Sequence, residues 1–421
     1  MAKEWIYKPK VETGSIDAAR LNIPQLLARI LANRSLTDEA AAKAFLKPKL
    51  AHLHDPSLLP DIDKAVGRII QAVKGGEPIV IYGDYDVDGI AGSAILHHTL
   101  GMLGAGDVPV YVPHRLEEGY GVNADALRLL AKRGTRLVIT VDCGITSIEE
   151  AAVARELGMD LIITDHHEPS PAGLPDAVAL VNPKAPHSTY PFRSLSGSGV
   201  AFKVAWALGQ ELSPTRRVSP EFKEFLISAT ALAALGTVAD VVPLVDENRA
   251  LTHFGLRALS ASSQPGIVAL METAGCSNRE MKAGHIAFGL APRLNAAGRM
   301  GHAQDAVDLL TTTDPAVATR LAGLLEEQNV LRQKTEKRIA EEAIEKVDRE
   351  VNLETDRIIV LAEEGWHPGV IGIVASRVLE RFGRPAVLIA LTDGRGQGSA
   401  RSIPGFSIFD AIADSADLLT S

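Results

Sequence analysis

The sequence predicts an α/β protein whose larger part is built on a parallel sheet. Between residues 66 and 183, short runs of β-branched residues alternate with helical stretches of ten to fifteen residues, the pattern of βαβ units. Several of these runs end in aspartate or histidine, as expected where the carboxyl ends of parallel strands carry a site. A long charged stretch then precedes a second, smaller α/β unit. We therefore predict two α/β domains joined by a helix.

The elements follow in order from the periodicity of apolar residues. Two helices are predicted in the N-terminal part, at 24–32 and 37–45, where Thr37 and Asp38 offer N-cap side chains for the second. The predicted strands of the first sheet are 79–82, 108–113, 137–141, 161–164 and 177–181. The predicted helices around them are 62–73, 90–103, 124–133 and 147–157. Residues 199–310 are predicted to be mostly helical.

The C-terminal third predicts a connecting helix and a second domain. After Pro315, residues 317–351 carry apolar side chains at spacings of three and four amid mixed charge. An exposed helix between two domains fits this pattern better than a coiled coil, because the heptad is irregular. Strands at 357–361 and 385–389 begin the smaller unit. We expect a lead-in at 1–65, a first domain at 66–315, the connecting helix at 316–351 and an incomplete second domain at 352–421.

Composition limits the class of protein. A chain of 421 residues with 46% hydrophobic and 23% charged residues suits a globular protein of two or three domains. The net charge of −9 argues against a generally basic surface, although a local groove can still be basic. Two cysteines, Cys143 and Cys276, predict buried thiols in a reducing compartment. With neither a secretion signal nor a run of about 18 apolar residues recognised, we expect a cytoplasmic protein that does not enter a membrane.

Acidic and histidine side chains predict a metal centre. Asp86 and Asp88 follow the first predicted strand, Asp142 follows the third, and Asp165-His166-His167 follows the fourth. Asp240 ends the run 236–239, which we interpret as strand-like. Carboxylates with one or two imidazoles suit Mn²⁺ or Mg²⁺. The alternatives are that Asp86 and Asp142 only cap helices and that the histidine pair only faces solvent.

Together, these motifs resemble the DHH phosphoesterase superfamily. The resemblance is carried by Asp84-Tyr85-Asp86-Val87-Asp88-Gly89, Val141-Asp142-Cys143-Gly144, Asp165-His166-His167 and Gly236-Thr237-Val238-Ala239-Asp240. Residues 292–299 and 365–372 extend it to nearly the whole chain and favour the branch of single-stranded-DNA exonucleases. It implies two ions, usually Mn²⁺ with Mg²⁺ as the alternative, in the cleft between a DHH domain and a DHH-associated domain. The implied ligands are Asp86 and Asp142 for one ion and Asp88, Asp142, His166 and Asp240 for the other, with Asp84 as a further ligand.

The same resemblance implies a substrate and a direction of cleavage. Asp142 would bridge the ions, and His167 would donate to a phosphate oxygen, which makes these two the expected catalytic residues. A 5′-phosphate pocket would give 5′-to-3′ digestion, and Tyr120 would stack on a base. The residues expected to hold the terminal phosphate are Arg115, Arg299, Ser399 and Arg401. The implied partners are single-stranded DNA, a single-stranded-DNA-binding protein and a RecQ-type helicase, in DNA repair and recombination.

Two other functions stay open at this point. A small-substrate DHH enzyme would cleave short oligonucleotides, cyclic dinucleotides, a nucleoside bisphosphate or pyrophosphate. A non-catalytic DNA-binding scaffold would have lost ligands, whereas every expected ligand is present here. Dinucleotide-binding and P-loop enzymes are disfavoured, because their glycine fingerprints are missing. Since the superfamily's associated domain normally continues beyond the segment that ends at Ser421, we expect a catalytic core.

Overall fold

The computed structural model describes residues 16–213, 215–277 and 279–419. Its helices are α1 Gln25–Ala32, α2 Glu39–Leu46, α3 Ile62–Gly75, α4 Val87–Met102, α5 Ala124–Lys132, α6 Ile148–Glu156, α7 Gly197–Glu211, α8 Pro220–Ala239, α9 Asp246–Ser260, α10 Pro265–Thr273, α11 Ala283–His285, α12 Ala291–Met300, α13 Gln304–Thr311, α14 Pro315–Glu350, α15 Pro368–Phe382 and α16 Ile408–Ala413. Its strands are β1 Ile79–Gly83, β2 Val110–Tyr111, β3 Leu137–Val141, β4 Asp160–Thr164, β5 Ala179–Val181, β6 Ile359–Glu364, β7 Ala386–Thr392 and β8 Arg395–Arg401. The first 15 residues of the predicted lead-in, with the segment read for a secretion signal, lie outside the described part.

The first sheet has five parallel strands in the order β2-β1-β3-β4-β5. All residues of β1 and β3 are buried, because helices cover both faces of the sheet. The register pairs Gly83 with Val141, and Val141 with Thr164. The three central strands therefore end level with one another, and the residues that follow them lie side by side at one edge. This confirms the predicted α/β fold with its parallel sheet.

The structure differs from the prediction in two elements. The run 236–239 is not strand-like; it is the last turn of α8, and Asp240 is the C-cap of that helix. Helix and strand are hard to separate in a short apolar run, because both can be buried on all sides. In the second domain, β8 was not predicted, since the glycine-rich segment Arg395–Arg401 lacks the residues that favour strands. It pairs with β7 in antiparallel fashion.

Helix α8 also corrects the expectation about apolar stretches. With 20 residues, it is long and apolar enough to cross a membrane by length and composition. However, 67% of its most apolar stretch is buried inside the protein. Its buried side chains, including Phe222, Leu232 and Leu235, belong to the main core. We therefore interpret α8 as a core helix.

A single helix of 36 residues, α14, connects the two sheets. Its first half contributes Ala318, Leu321 and Leu325 to the main core. Its second half contributes Ile339 and Val347 to a separate core around the sheet β6-β7-β8. Polar contacts fix this second attachment, since Trp366 Nε1 donates to Glu342 Oε2 at 2.9 Å.

A buried ion pair ties the N-terminal part to the helical layer. Lys203 on α7 and Glu247 on α9 contact each other, and both side chains are fully buried. The Lys203 ammonium also donates to the His54 carbonyl at 2.5 Å, and the His54 N–H donates to Glu247 Oε1 at 2.9 Å. Tyr190 donates to the other carboxylate oxygen at 2.5 Å. These bonds satisfy both buried charges and hold the segment before α3 in place.

Candidate active site

The edge where β1, β3 and β4 end brings three aspartates together. Asp84, Asp142 and Asp165 each follow one of these strands, and all three are buried. Backbone bonds continue the ladder here, since Asp84 N donates to Val141 O at 3.1 Å and Asp142 N donates to Thr164 O at 2.9 Å. Asp142 has a φ of 64°, in the left-handed region, which is uncommon for a residue other than glycine. Strain of this kind concentrates at functional sites.

Asp86 and Asp88 join this cluster from the first turn of α4. Asp86 is the N-cap, and its Oδ1 accepts from Asp88 N at 2.8 Å and from Gly89 N at 3.2 Å. The capping role weighed from the sequence is therefore present, and it does not remove Asp86 from the cluster. Asp88 accepts from Gly197 N at 2.6 Å and Ser198 N at 2.9 Å, at the start of α7. The start of a second helix thus positions this carboxylate.

His166 lies at the centre of the cluster. Its Nε2 atom is 3.0 Å from Asp142 Oδ1, 3.7 Å from Asp240 Oδ2 and 3.9 Å from Asp88 Oδ2. Burial lowers the pKa of the ring, which favours a neutral imidazole with a lone pair for a cation. Asp240 reaches the cluster from the end of α8, so a helix rather than a strand supplies this carboxylate.

Within the part of the chain that the structure describes, three groups of side chains are compact enough to hold a cation. Within each, the ligand atoms all lie within 4.8 Å of one another. The groups are Asp84 with Asp86 and Asp142; Asp88 with His166 and Asp240; and Asp142 with His166 and His167. Asp142 belongs to two of them. The structure thus brings together all five residues expected to bind metal, together with Asp84, the further ligand expected from the sequence.

The donor set fits divalent cations. Asp84 Oδ1, Asp142 Oδ1 and His166 Nε2 are buried and make no hydrogen bond among the described residues, although the last two lie 3.0 Å apart. Unsatisfied polar atoms are costly when buried, so three in one cluster indicate a missing partner. Burial and then the neighbouring Asp86 raise the pKa of Asp84 to about 8. Burial and then Asp88 raise the pKa of Asp240 to about 7. A cation would relieve both effects.

His167 faces the cluster from its open side. Its Nδ1 atom lies 2.8 Å from Asp165 Oδ1 and 3.9 Å from Asp142 Oδ1. Burial opposes the charged ring, but the hydrogen bond and the charge of Asp165, together with the charges of Asp240 and Asp84, outweigh burial, so the pKa of His167 is raised. Burial likewise opposes ionisation of Asp165, but the hydrogen bond and the charge of His167, together with the backbone N–H groups of Ile145 and His167, hold the pKa of Asp165 below its usual value. The two rings of His166 and His167 lie 4.5 Å apart, so the loop turns sharply enough for both to reach the cluster.

Four arginines gather beside the cluster at the junction of the two domains. Burial lowers the pKa of Arg299 to about 10, and the positive charges of Arg115, Arg332 and Arg401 contribute to this lowering. Arg299 on α12 reaches the second domain, where its Nη1 donates to Gly369 O at 3.0 Å. Neighbouring guanidinium groups repel one another unless an anion lies between them. This concentration of arginines therefore predicts a bound anion.

The remaining expected residues lie around these arginines. Arg401 Nη1 donates to Ser399 Oγ at 3.3 Å, and Nε donates to Ser376 Oγ at 3.1 Å. Arg115 lies over the ring of Tyr85, 4.7 Å from its centroid. Tyr120 is half exposed, and its hydroxyl is 3.3 Å from both Asp142 O and His167 Nδ1. Tyr120 therefore borders the carboxylate cluster itself.

Sequence reasoning missed three contributions. Asp165 was part of a motif without an assigned role, yet its carboxylate also accepts from Ile145 N at 2.9 Å and His166 N at 2.7 Å. A Cβ at Gly197 or Gly236 would overlap the carboxylates of Asp142 and Asp88, respectively. Arg332 carried no motif at all. Asp165 and Gly236 lie within motif segments, which gave a signal for both, whereas Gly197 and Arg332 lie in none.

Comparison with known proteins places this geometry in a family. The model of the DHH family, N-terminal domain, matches residues 78–230, and that of the DHHA1 domain matches residues 355–419. The single-stranded-DNA-specific exonuclease RecJ of Salmonella typhimurium is 37% identical over 411 residues, which cover 95% of this chain and 69% of that protein. The chain belongs to the RecJ family. The resemblance inferred from the sequence is confirmed.

Other RecJ proteins extend the comparison. RecJ of Bacillus subtilis is 44% identical over 416 residues, covering 98% of this chain and 51% of that protein. The crystal structure of RecJ in complex with Mn²⁺ from Thermus thermophilus matches with a TM-score of 0.80 and 35% identity, over 96% of this chain and 55% of that one. The chain thus spans about half the length of these two RecJ proteins.

Proposed function

We propose that this protein is a divalent-metal-dependent exonuclease that digests single-stranded DNA from the 5′ end. The observation that carries the proposal is the buried cluster of carboxylates and imidazole, with three polar atoms that make no hydrogen bond among the described residues, beside a group of arginines. The carboxylate cluster suits cations, and the arginine group suits a phosphate. The RecJ relatives are named as single-stranded-DNA-specific exonucleases, which supports the same activity here.

The proposed ligands divide into two sets that share Asp142. Asp84, Asp86 and Asp142 would hold one ion, and Asp88, Asp142, His166 and Asp240 the other. We propose Mn²⁺, with Mg²⁺ as the alternative, because oxygen-rich sets with one imidazole suit both ions. Such ions lower the pKa of a bound water and stabilise the attacking and leaving oxygens of an in-line displacement.

The side chains around the ions would orient the substrate. His167, whose ring is hydrogen-bonded to Asp165, would donate a hydrogen bond to a non-bridging oxygen as negative charge develops on the phosphate. Tyr120 borders His167 and would contact the first nucleotide. Arg115, Arg299, Ser399 and Arg401 would bind the terminal 5′-phosphate, which would restrict cleavage to one end of the strand.

The biological setting is proposed on the same basis. We propose a cytoplasmic protein acting in DNA repair and recombination, with a single-stranded-DNA-binding protein and a RecQ-type helicase as partners. We also retain the boundaries 1–65, 66–315, 316–351 and 352–421 for its four parts. Helix α14, Pro315–Glu350, supports the third of these.

The decisive experiment compares a 5′-phosphorylated single strand with its duplex form, in Mn²⁺ and in chelator. We expect release of nucleotides from the single strand only, and only with the ion. Asp142→Ala should abolish this activity, because both ligand sets lose a member. Asp125→Ala is the matched control, since the Asp125 side chain is 89% exposed on α5. Retained activity in Asp142→Ala, with folding verified by circular dichroism, would refute the proposal.

The direction of digestion needs a separate experiment. Arg401→Gln should reduce the preference for a 5′-phosphate over a 5′-hydroxyl, because it removes one charge from the arginine group. Arg395→Gln, at the exposed start of the same strand, is the control. A preference for 3′ ends in the unmodified protein would remove the assignment of these arginines.

A further inference from the structure

A cavity of about 450 Å³ lies directly beside the carboxylate cluster, between the end of α8, the segment leading into α12, α14 and α15. Its lining includes Val238, Ala239 and Val241, which flank the cluster residue Asp240 in the chain. Phe288, Arg299, Arg332 and Ile373 also line it. The cavity therefore adjoins Asp240 and contains two members of the arginine group.

Two apolar side chains at this cavity have no folding explanation. Phe288 is 86% exposed and Val241 is 85% exposed, although burying either would stabilise the fold. Val241 has a φ of 61°, and a β-branched residue in the left-handed region is an outlier. Phe288 lies in a π-helical turn, Ile286–Leu290, and such turns are frequent at functional sites. A strained backbone at Val241, a π-helical turn at Phe288 and the exposure of both side chains thus occur at the same cavity.

The polar lining restricts what the cavity can hold. Arg332 on α14 is fixed by Glu336 and by Asn329, whose Oδ1 accepts from its Nη2 at 2.9 Å. Its Nε is buried and lacks a hydrogen-bond partner among the described residues. Arg299 lies beside it and shares this cavity. An occupant must therefore be flat and apolar at the rim and carry negative charge at the arginines, which describes a nucleotide within a strand.

We propose that this cavity receives one unpaired nucleobase of the substrate strand, between Val241 and Phe288, while Arg299 and Arg332 contact the adjoining phosphate. The proposal rests on the proposed nuclease function and deepens it. A base can enter only if it is unstacked and unpaired, so a duplex must first open at this point, which is costly. Phe288 and Val241 are then specificity-determining residues for single strands.

The test measures binding of a 5′-phosphorylated oligonucleotide and of an abasic strand of equal length, by fluorescence anisotropy with Ca²⁺ in place of Mn²⁺. The unmodified protein should bind the intact strand more tightly. Phe288→Ala should weaken binding of the intact strand by about 5- to 100-fold and that of the abasic strand much less, because stacking on one base is lost. Val241→Gly, which the backbone tolerates, should also reduce the ratio.

Phe409→Ala is the matched control, because Phe409 is 78% exposed on α16, away from the lining of the cavity. It should keep the full ratio between intact and abasic strands. An unmodified protein without that ratio, or a Phe288→Ala variant that retains it, overturns the inference. Cleavage in Mn²⁺ is scored separately, so a protein that discriminates between the strands without cutting would refute the nuclease and leave this subsite standing.

Discussion

At the scale of single residues, the aspartates of the cluster differ in the hydrogen bonds that their carboxylates accept. Asp88 and Asp165 are held by backbone N–H groups, which orient them before any ligand arrives. Asp84 and Asp142 each leave an oxygen without a hydrogen-bond partner among the described residues. Backbone contacts therefore position the carboxylates of the first pair. Each carboxylate of the second pair keeps an oxygen that makes no hydrogen bond and can accept a cation.

The variant Asp165→Asn tests whether Asp165 raises the pKa of His167. Without the carboxylate, the raised pKa of His167 should fall, because the hydrogen bond to an anion no longer favours the charged ring. If the protonated ring acts on the phosphate, the alkaline limb of the activity profile should move to lower pH. The loss of kcat at neutral pH should be about 100-fold.

The measurement is kcat against pH, together with the titration of His167 by NMR in the Asp165→Asn variant. A purely structural role for Asp165 would lower activity at every pH without moving the limb. An unchanged profile in a folded variant would contradict a positioning role.

At the scale of elements, the site depends on close approach between helices. Gly236 in α8 lies against Asp88, and an alanine there would overlap Asp88 Oδ1 and bring its Cβ to 2.8 Å from that of Ser198. Gly197 at the start of α7 approaches Asp142 in the same way, with a Cβ 2.6 Å from the carboxylate carbon. Two helices thus need glycine where they meet the cluster.

Gly236→Ala should therefore weaken the binding of Mn²⁺ by about 10- to 100-fold, as is typical when residues that support metal ligands are changed. Isothermal titration calorimetry measures this directly. Gly67→Ala in α3 is the matched control, because no heavy atom lies within 4 Å of the added Cβ. The control should bind Mn²⁺ normally and gain about 0.5–1 kcal/mol of stability. Equal affinity in the two variants would contradict the argument.

The buried pair between α7 and α9 gives a second prediction at this scale. Lys203→Met leaves the Glu247 carboxylate buried without its cation, which should cost about 3–5 kcal/mol in free energy of unfolding. Urea denaturation measures the loss. Lys223→Met, on the exposed side of α8, should change stability by less than about 0.5 kcal/mol. A loss as small as the control's would mean that the network does not anchor the segment around His54.

At the scale of the whole molecule, the cluster couples stability to pH and to cations. Burial and Asp86 raise the pKa of Asp84 to about 8, and burial and Asp88 raise that of Asp240 to about 7. A carboxyl group in the unfolded chain has a pKa of about 4. The folded state therefore binds more protons between these values, so stability falls as pH rises.

In chelator, we expect the Tm to decrease between pH 5 and pH 8. Mn²⁺ should remove this decrease, because a cation stabilises the ionised carboxylates of the folded state. Differential scanning calorimetry at several pH values tests both statements. Asp84→Asn should make the decrease in chelator shallower. A Tm that is constant or increasing with pH in chelator would refute the coupling.

The sequence predicted the sheet well, because β1, β3 and β4 are apolar runs ending in polar groups, and their level ends place Asp142 beside Asp84. It failed where tertiary packing decides. The turn before Asp240 is as apolar as a strand, and only its packing within α8 makes it a helix. The position of Arg332 depends on how α14 packs between two domains. No local pattern records that arrangement.

The uninterrupted α14 has one more consequence. At 1.5 Å per residue, its 36 residues extend about 54 Å and belong to both cores. Because α14 joins both domains, the arginine group that includes Arg401 and the carboxylate cluster are held at a constant separation before DNA binds. If the former anchors the strand terminus, every cut should release a product of the same size, whatever the base composition.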